Sequence, residues 1–318
     1  MYTKKFLAVE NEKIIKAIRE NGYFVFEEAL TKEYVESILQ EVDFEKVLVN
    51  TNDVGVVFSG SQKFLTHCLA KSKKAYDVIT SSKVLDICNK YFSHKFLLVN
   101  HRIYQTQASH YMPWHTDNNR QVGYQLSEKH NMSGLLFLFY LSDVTKNAFQ
   151  IVRNSHHWAD NYNHEIYLSE SFIKKFEKDI VTLQMPQGSL IICNTHVIHR
   201  AEPLDNKNYV RKTLLFQVDE VGDDLENVGH GEPNLINTEY LDNLSPAVVE
   251  YLGFGRPRNY PTYPYSSVST ISNRELVALQ KQLLLTLFKA IPKKMVVALV
   301  SYRVIIAAKR MMWKIKHN

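Results

Sequence analysis

Residues 188–203 read GSLIICNTHVIHRAEP, a glycine turn that leads into a short apolar run and then into a polar connection with two histidines. A short continuous apolar run that begins at a turn residue is typical of a buried β-strand. After a predicted turn at Asp205 to Asn208, the stretch Tyr209 to Val218 has the composition of a further strand. This part of the chain therefore predicts two neighbouring strands of a β-sheet core.

A second stretch, His115-Thr116-Asp117, follows a run of β-prone residues from Phe96 to Gln107 and opens a polar loop. In a strand, side chains at positions i and i+2 point to the same side, so His115 and Asp117 can bind one metal ion while Thr116 faces away. With one more histidine, the pair completes the ligand set of a non-haem iron oxygenase. The pattern predicts an enzyme that activates dioxygen, although a His-x-Asp pair alone also fits two surface residues of a loop.

The strand that follows the histidines carries Arg211 and Thr213, which share one face because strand side chains alternate. A guanidinium beside a hydroxyl can hold a carboxylate through paired, charge-assisted hydrogen bonds. We interpret this pair as an anchor for the distal carboxylate of 2-oxoglutarate.

Together these motifs resemble the phytanoyl-CoA dioxygenase family of iron(II)- and 2-oxoglutarate-dependent oxygenases. The resemblance covers roughly residues 10 to 220. It includes a helix and strand within 14–26, a helix from Thr31 to Val42 and a strand from Leu135 to Leu141.

The same resemblance extends to a turn in the middle of the chain. Residues 153–156, Arg-Asn-Ser-His, resemble the family's Pro-Gly-Ser-His turn. Arg153 and Asn154 replace the usual proline and glycine, and Ala148 stands near a position where glycine is common.

The resemblance implies a set of metal ligands: His115, Asp117 and His199 would hold iron(II). His196 is the competing candidate for the distal ligand. His199 is preferred because it precedes Arg211 by twelve positions, as the family's ligand and arginine are usually spaced, and because His199-Arg200-Ala201 matches the family's sequence.

It also implies a co-substrate site. Arg211 would bind the C5 carboxylate of 2-oxoglutarate, with assistance from Thr213. The family places polar side chains near the co-substrate on the strand before the His-x-Asp pair, which makes Tyr104 and Gln107 candidates.

The implied reaction is hydroxylation of an aliphatic carbon of a small-molecule, lipid-linked or sugar substrate, with release of succinate and carbon dioxide. Asp117 favours hydroxylation over halogenation, because related halogenases have a small residue in place of this carboxylate. Two other interpretations stay open: a non-catalytic metal- or sugar-binding jelly roll, and a membrane-tethered scaffold. Arg211 argues against the first, since a metal-binding module needs no cationic anchor in register with its ligands.

The length and composition of the chain support a prediction of the fold class and the domain organisation. With 318 residues, of which 45% are hydrophobic and 12% aromatic, the chain can bury one large core. We predict a mainly β fold with flanking helices (α+β), a double-stranded β-helix or cupin-like jelly roll. Residues 1–252 would form the oxygenase domain, 253–273 a Pro- and Tyr-rich linker or arm, and 274–318 a basic helical extension.

The C-terminal extension has a strong charge asymmetry. After Glu275 the sequence contains nine lysines and arginines and no acidic residue, so a chain of net charge +5 carries −4 before this segment and +9 within it. The apolar stretch Met295 to Ala308 is too short to span a bilayer. A basic helix can lie on an anionic membrane surface, or its apolar face can pack on the body or in a homo-oligomer. Nucleic acid is not an expected partner, because no recognised binding module accompanies the basic residues.

The cysteines and the N-terminus bear on the cellular compartment. Cys68, Cys88 and Cys193 are widely spaced and show no Cys-x-x-Cys pairing, which disfavours disulfides and a zinc site. The first residues lack an apolar run long enough for a signal peptide. Free thiols and a ferrous site favour the cytoplasm, and the basic C-terminus adds the inner face of a membrane as an expected peripheral location.

Overall fold

The computed structural model describes two antiparallel β-sheets and the helices that flank them. The described residues are 1–42, 44, 56–59, 62–65, 68–117, 134–158, 167–221, 235–254, 277, 280–291, 304, 307–308 and 310–312.

Serine and threonine residues begin most of the described helices. Their side-chain oxygens accept hydrogen bonds from backbone N–H groups of the first turn, which a helix start otherwise leaves unpaired. The helices are α1 (Lys4–Leu7), α2 (Asn11–Asn21), α3 (Lys32–Glu41), α4 (Cys68–Lys71), α5 (Lys73–Ile79), α6 (Ser82–Tyr91), α7 (Glu170–Lys174) and α8 (Pro246–Tyr251).

The described strands form one seven-stranded and one five-stranded sheet. They are β1 (Tyr23–Phe26), β2 (Val56–Ser59), β3 (Gln62–Leu65), β4 (Phe96–His110), β5 (Trp114–His115), β6 (Gly134–Tyr140), β7 (Val144–Val152), β8 (Tyr167–Leu168), β9 (Ile180–Met185), β10 (Leu190–Asn194), β11 (His199–Ala201) and β12 (Leu204–Glu220). The larger sheet has the order β1-β10-β6-β12-β4-β3-β2, and the smaller has the order β8-β5-β11-β7-β9. This arrangement confirms the predicted fold class, mainly β with flanking helices.

The larger sheet is buried on both faces. Strand β6 is apolar along its whole length and every residue in it is buried, because one face packs against helices and the other against the smaller sheet. Phe137 stacks on Phe216 of the neighbouring strand on the helix side, with ring centroids 4.7 Å apart. On the other side, Leu138 belongs to a cluster that also contains Phe149 and Leu183 of the smaller sheet.

Strand β12 differs from the sequence prediction at its start. The polar stretch Asp205 to Asn208, predicted to be a turn, lies within the strand, and a register shift against β4 between Asp205 and Val210 absorbs it. A bulge of this kind bends a strand without ending it. Asp205 pairs with Ser109 and Val210 with Gln107, so residues 206–209 bulge out of the pairing with β4, and the Asn208 N–H donates to Asn206 Oδ1 at 3.0 Å, which keeps a local turn inside the strand.

The remainder of the chain forms a second unit. Backbone contacts divide the structure into residues 1–256 with 317–318, and residues 257–316. In the second unit residues 280–291 are helical, and they lie within the helical extension predicted at 274–318. The predicted linker at 253–273 and the rest of the predicted extension lie largely outside the described residues, and the predicted boundaries stay predictions. Among the described residues, no helix combines the length and the hydropathy that crossing a membrane requires.

The glycine that precedes β10 makes a close backbone contact. Gly188 has φ 84°, and a Cβ atom there would lie 2.5 Å from the Leu30 carbonyl oxygen. The Leu30 N–H donates to the Gly188 carbonyl at 3.0 Å, so the approach is fixed by a hydrogen bond. The N-terminal segment is thereby tied to the edge of the larger sheet.

We expect Gly188→Ala to lower the free energy of unfolding by on the order of 3 kcal/mol, through left-handed strain and the backbone clash. Gly22→Ala is the comparison, because Gly22 has a similar φ of 89° but its Cβ would meet the side chains of Val197 and His156. Side chains can shift, so its loss should be smaller. Denaturant unfolding of both variants measures the difference, and a Gly188→Ala protein as stable as wild type would contradict the close approach.

Candidate active site

Two histidines face each other across neighbouring strands of the smaller sheet. Strands β5 and β11 pair antiparallel with His115 directly opposite His199. Directly opposed residues of an antiparallel pair project to the same face of the sheet. Both side chains are buried and their ring centroids are 4.3 Å apart. Strand pairing therefore brings together two imidazoles from distant parts of the chain.

Asp117 completes the cluster just after β5 ends. Its backbone N–H donates to the Thr195 carbonyl at 3.0 Å, which holds the chain where it leaves the strand. Its two carboxylate oxygens lie 3.7 Å from His115 Nε2 and 3.5 Å from His199 Nε2. Ligand atoms of the three residues all lie within 4.8 Å of one another, so one metal ion could be held between them.

Backbone carbonyls orient both rings toward this point. His115 Nδ1 lies 2.9 Å from the Pro113 carbonyl oxygen, and His199 Nδ1 lies 2.9 Å from the Val197 carbonyl oxygen. A carbonyl can only accept, so Nδ1 must carry the proton and donate in each case. The lone pair of each ring is then at Nε2, which faces Asp117 and is available to a metal.

The electrostatic environment keeps His115 neutral. Burial and the neighbouring His199 lower its pKa from 6.5 to about 4, although Asp117 acts in the opposite direction. A neutral imidazole is the form that binds a metal, so at neutral pH no proton needs to leave His115 before metal binding.

A buried arginine lies on the larger sheet. Arg211 of β12 is 1% exposed, and its Nη1 donates to the Asn147 carbonyl. Its Nε has no hydrogen-bond partner, and among the described residues no carboxylate lies within ion-pair distance of its guanidinium. A buried guanidinium in this state is costly unless an anion joins it, so the position fits the carboxylate of a ligand.

Thr213 lies beside Arg211 on the same face of β12. It is directly opposite Tyr104 on β4 and Tyr140 on β6. Its hydroxyl is buried, and no hydrogen bond joins it to any residue that the structure describes. The Arg211 guanidinium carbon lies 5.7 Å from the centroid of the Tyr104 ring, within range of a cation–π contact. The structure thus brings together three of the four residues predicted for the co-substrate site.

Gln107, the fourth, lies on the other face of its strand. Thr106 is the residue opposite Arg211, so Thr106 and Tyr104 share the inner face. On the opposite face, Gln105 donates from Nε2 to Gln107 Oε1 at 2.9 Å. A difference of one position reverses the face in a strand. The structure therefore does not bring Gln107 to the co-substrate residues.

His196, the competing candidate for the distal ligand, is not part of the metal-binding group, whereas His199 is. The His196 N–H donates to Asn194 Oδ1 at 2.8 Å within the connection between β10 and β11. The geometry favours His199.

Contacts that the sequence analysis missed link the two sheets. The Phe149 ring lies 4.9 Å from the His199 ring, and the Phe149 N–H donates to Tyr140 Oη at 2.9 Å. Tyr140 in turn donates to the Leu183 carbonyl at 3.0 Å and sits opposite Thr213. Alternation along β6 could have identified Tyr140 as inward-facing. No sequence signal marks Asn147, because its contribution to Arg211 is a backbone carbonyl.

Two kinds of comparison relate this chain to known proteins. The family model of phytanoyl-CoA dioxygenase (PhyH) matches residues 18–213, which is more than half of the chain. No curated protein matches the chain closely enough in sequence to count as a relative.

Solved structures share the fold at low sequence identity. SnoK, described as a non-heme alpha ketoglutarate dependent carbocyclase from nogalamycin biosynthesis, has a TM-score of 0.51 and 14% identity, over 68% of this chain and 86% of SnoK. HygX from Streptomyces hygroscopicus, solved with nickel and 2-oxoglutarate bound, has a TM-score of 0.51 and 15% identity, over 71% of this chain and 97% of HygX. The match to the family model, with the His-Asp-His cluster, places the chain in the phytanoyl-CoA dioxygenase family, as an enzyme that depends on iron(II) and 2-oxoglutarate.

Proposed function

We propose that this enzyme hydroxylates an aliphatic carbon of a small-molecule, lipid-linked or sugar substrate, with release of succinate and carbon dioxide. The observation that supports the proposal is the presence of two sites, one suited to a metal and one suited to an anion. The smaller sheet presents a His-Asp-His cluster, and the larger presents a buried guanidinium that no described carboxylate neutralises. A metal and an anionic co-substrate are the ligands that such sites accept.

In this proposal His115, Asp117 and His199 hold iron(II). The donor set fits the metal, because two imidazoles and one carboxylate leave coordination positions for a co-substrate and oxygen. When bound, iron(II) and 2-oxoglutarate supply the oxidising chemistry that breaks an unactivated C–H bond. The contribution of the chain is to present both Nε2 atoms in fixed orientation, through the Pro113 and Val197 carbonyls.

Arg211 holds the far carboxylate of 2-oxoglutarate. Its Nε and the Thr213 hydroxyl are buried donors on one face of one strand, and neither is hydrogen-bonded within the described part of the chain. Two fixed donors of this kind can bind a carboxylate in a single orientation. Tyr104 packs on the guanidinium and restricts its movement. We leave Gln107 out of the proposed co-substrate site because it lies on the opposite face.

Hydroxylation is favoured over halogenation by Asp117. Its carboxylate contributes to the ligand cluster, and related halogenases have a small residue at this position that leaves room for chloride. A non-catalytic metal- or sugar-binding jelly roll is the alternative function. Arg211 argues against it, because a buried cation has no role in a site that binds only a metal or a neutral sugar.

The test begins with metal-free protein under anaerobic conditions. Addition of iron(II) and 2-oxoglutarate is expected to give the weak visible charge-transfer band of the chelate. Three pools of compounds are then added with oxygen: soluble small molecules, free sugars and lipid-linked sugars. One pool should stimulate succinate formation and yield a product that has gained one oxygen atom from isotopically labelled dioxygen.

Each step has an outcome that contradicts part of the proposal. No chelate band in folded, metal-loaded protein would favour the binding module. A product that gains a halogen, or loses two hydrogens without gaining oxygen, would exclude hydroxylation while leaving the iron and 2-oxoglutarate site intact. The substrate class follows from the pool that responds.

A further inference from the structure

The helix at residues 280–291 carries large apolar side chains that are exposed. Leu283, Leu284, Leu285, Leu287, Phe288 and Ile291 are each more than half exposed, with Phe288 the highest at 72%. A concentration of exposed apolar side chains on one short helix marks an interaction surface rather than the scattered exposure of an ordinary protein surface.

Five of these six residues lie on one face. A rotation of about 100° per residue places Leu283, Leu284, Leu287, Phe288 and Ile291 within one arc of about 140°. The opposite side carries Lys281, Gln282, Thr286 and Lys289, and Leu285 lies among them. The helix is therefore amphipathic, with one apolar face and one cationic, polar face.

The charge of the surrounding sequence indicates the chemistry of a partner. From residue 276 to 318 there are nine lysines and arginines and no acidic residue. A partner must offer apolar material to the helix face and negative charge to its surroundings. A second copy of this helix would offer the apolar face but would bring the same positive charges, which repel.

We propose that residues 280–291 lie in the surface of an anionic lipid bilayer, with the apolar face at the boundary between head groups and acyl chains. Lys281 borders that face next to Phe288, so its amine can reach the lipid phosphates while its stem lies on the apolar region, and Lys289 lies on the side that faces water. The surrounding lysines and arginines add attraction to the same anionic surface. This association does not depend on the chemistry of the active site.

The test measures binding of the full chain to vesicles by flotation. Vesicles of phosphatidylcholine with about one third phosphatidylglycerol are compared with vesicles of phosphatidylcholine alone. We expect at least about tenfold stronger binding to the anionic vesicles, and weaker binding when salt rises from about 0.1 M to about 1 M. Equal binding to both vesicles, or binding to neither, would overturn the proposal.

Two neighbouring leucines provide a matched pair of variants. Leu284→Asp places a charge in the apolar face, and Leu285→Asp places the same charge on the polar face, at side chains that are 54% and 59% exposed. Leu284→Asp should weaken binding to anionic vesicles at least about tenfold, and Leu285→Asp should weaken it much less. Unchanged unfolding midpoints and an unchanged chelate band with iron(II) and 2-oxoglutarate would show that both variants fold.

If the apolar face of the helix does not bind a membrane, the same experiments give different results. If Leu284→Asp and Leu285→Asp weaken flotation equally, the apolar face is not the bound surface and the proposal fails. If wild type does not float and is an oligomer that Leu284→Asp dissociates, the face binds a second copy of the chain and the membrane proposal fails.

Discussion

Replacement of His199 by alanine is expected to abolish both the iron(II)–2-oxoglutarate charge-transfer band and turnover. The variant loses one of three ligands whose atoms lie within 4.8 Å of one another. Loss of a residue that merely supports a metal ligand lowers metal affinity about 10- to 100-fold, so loss of a ligand should exceed about 100-fold. Anaerobic titration of wild type and variant with iron(II), in excess 2-oxoglutarate, measures the effect.

His196→Ala is the matched control for this experiment. His196 lies three positions earlier, in the connection between β10 and β11, is the competing candidate in the sequence, and does not belong to the metal-binding group. It should retain the band. If His196→Ala loses the band and His199→Ala keeps it, the proposed ligand assignment is wrong. His199 is buried, so an unfolding curve of each variant must accompany the titration.

Arg211→Gln is expected to weaken 2-oxoglutarate binding by about 100-fold or more without a comparable loss of iron affinity. Truncation of one partner of a buried, hydrogen-bonded charge pair costs about 2–5 kcal/mol. In this protein the pair would form between the Arg211 guanidinium and the distal carboxylate of the co-substrate. Titration of the iron-loaded protein with 2-oxoglutarate gives the dissociation constant.

Comparison with a 2-oxo acid that lacks the distal carboxylate tests whether Arg211 binds that carboxylate or only supports the structure of the site. Wild type should bind 2-oxoglutarate much more tightly than 2-oxobutyrate, and Arg211→Gln should bind the two acids nearly equally. Lys212→Gln removes a neighbouring cation on the other face of the same strand and should keep the wild-type preference. If Arg211→Gln also keeps it, another residue holds the carboxylate.

The turn at residues 153–156 keeps its conformation although it lacks the family's proline and glycine. The family's glycine is replaced by Asn154, which adopts a left-handed conformation with φ 63°. Asparagine tolerates this region better than most residues. The next residue, Ser155, is buried and its hydroxyl accepts from the Ile198 N–H at 2.8 Å. The turn therefore holds the residue that precedes His199 without needing the glycine.

The sequence could predict which site residues share a face, because side chains alternate along a strand. It placed His115 with Asp117, and Arg211 with Thr213, because in each pair two residues of one short segment are separated by one position. The polar residues of β4 show the limit of the same reasoning. Tyr104 and Gln107 differ by three positions and so fall on opposite faces, and only Tyr104 reaches Arg211.

The amino-acid sequence alone contains the chemical groups of the site: two imidazoles and a carboxylate for a metal, and an arginine and a hydroxyl for an anion. It also contains the basic segment after residue 275. The tertiary structure decided which histidine meets His115, because that depends on the pairing of β5 with β11. It also decided that the Asn147 carbonyl meets Arg211 and that the Asp205 to Asn208 stretch continues a strand. Local patterns reach only a few residues, whereas strand pairing and register depend on contacts between distant segments.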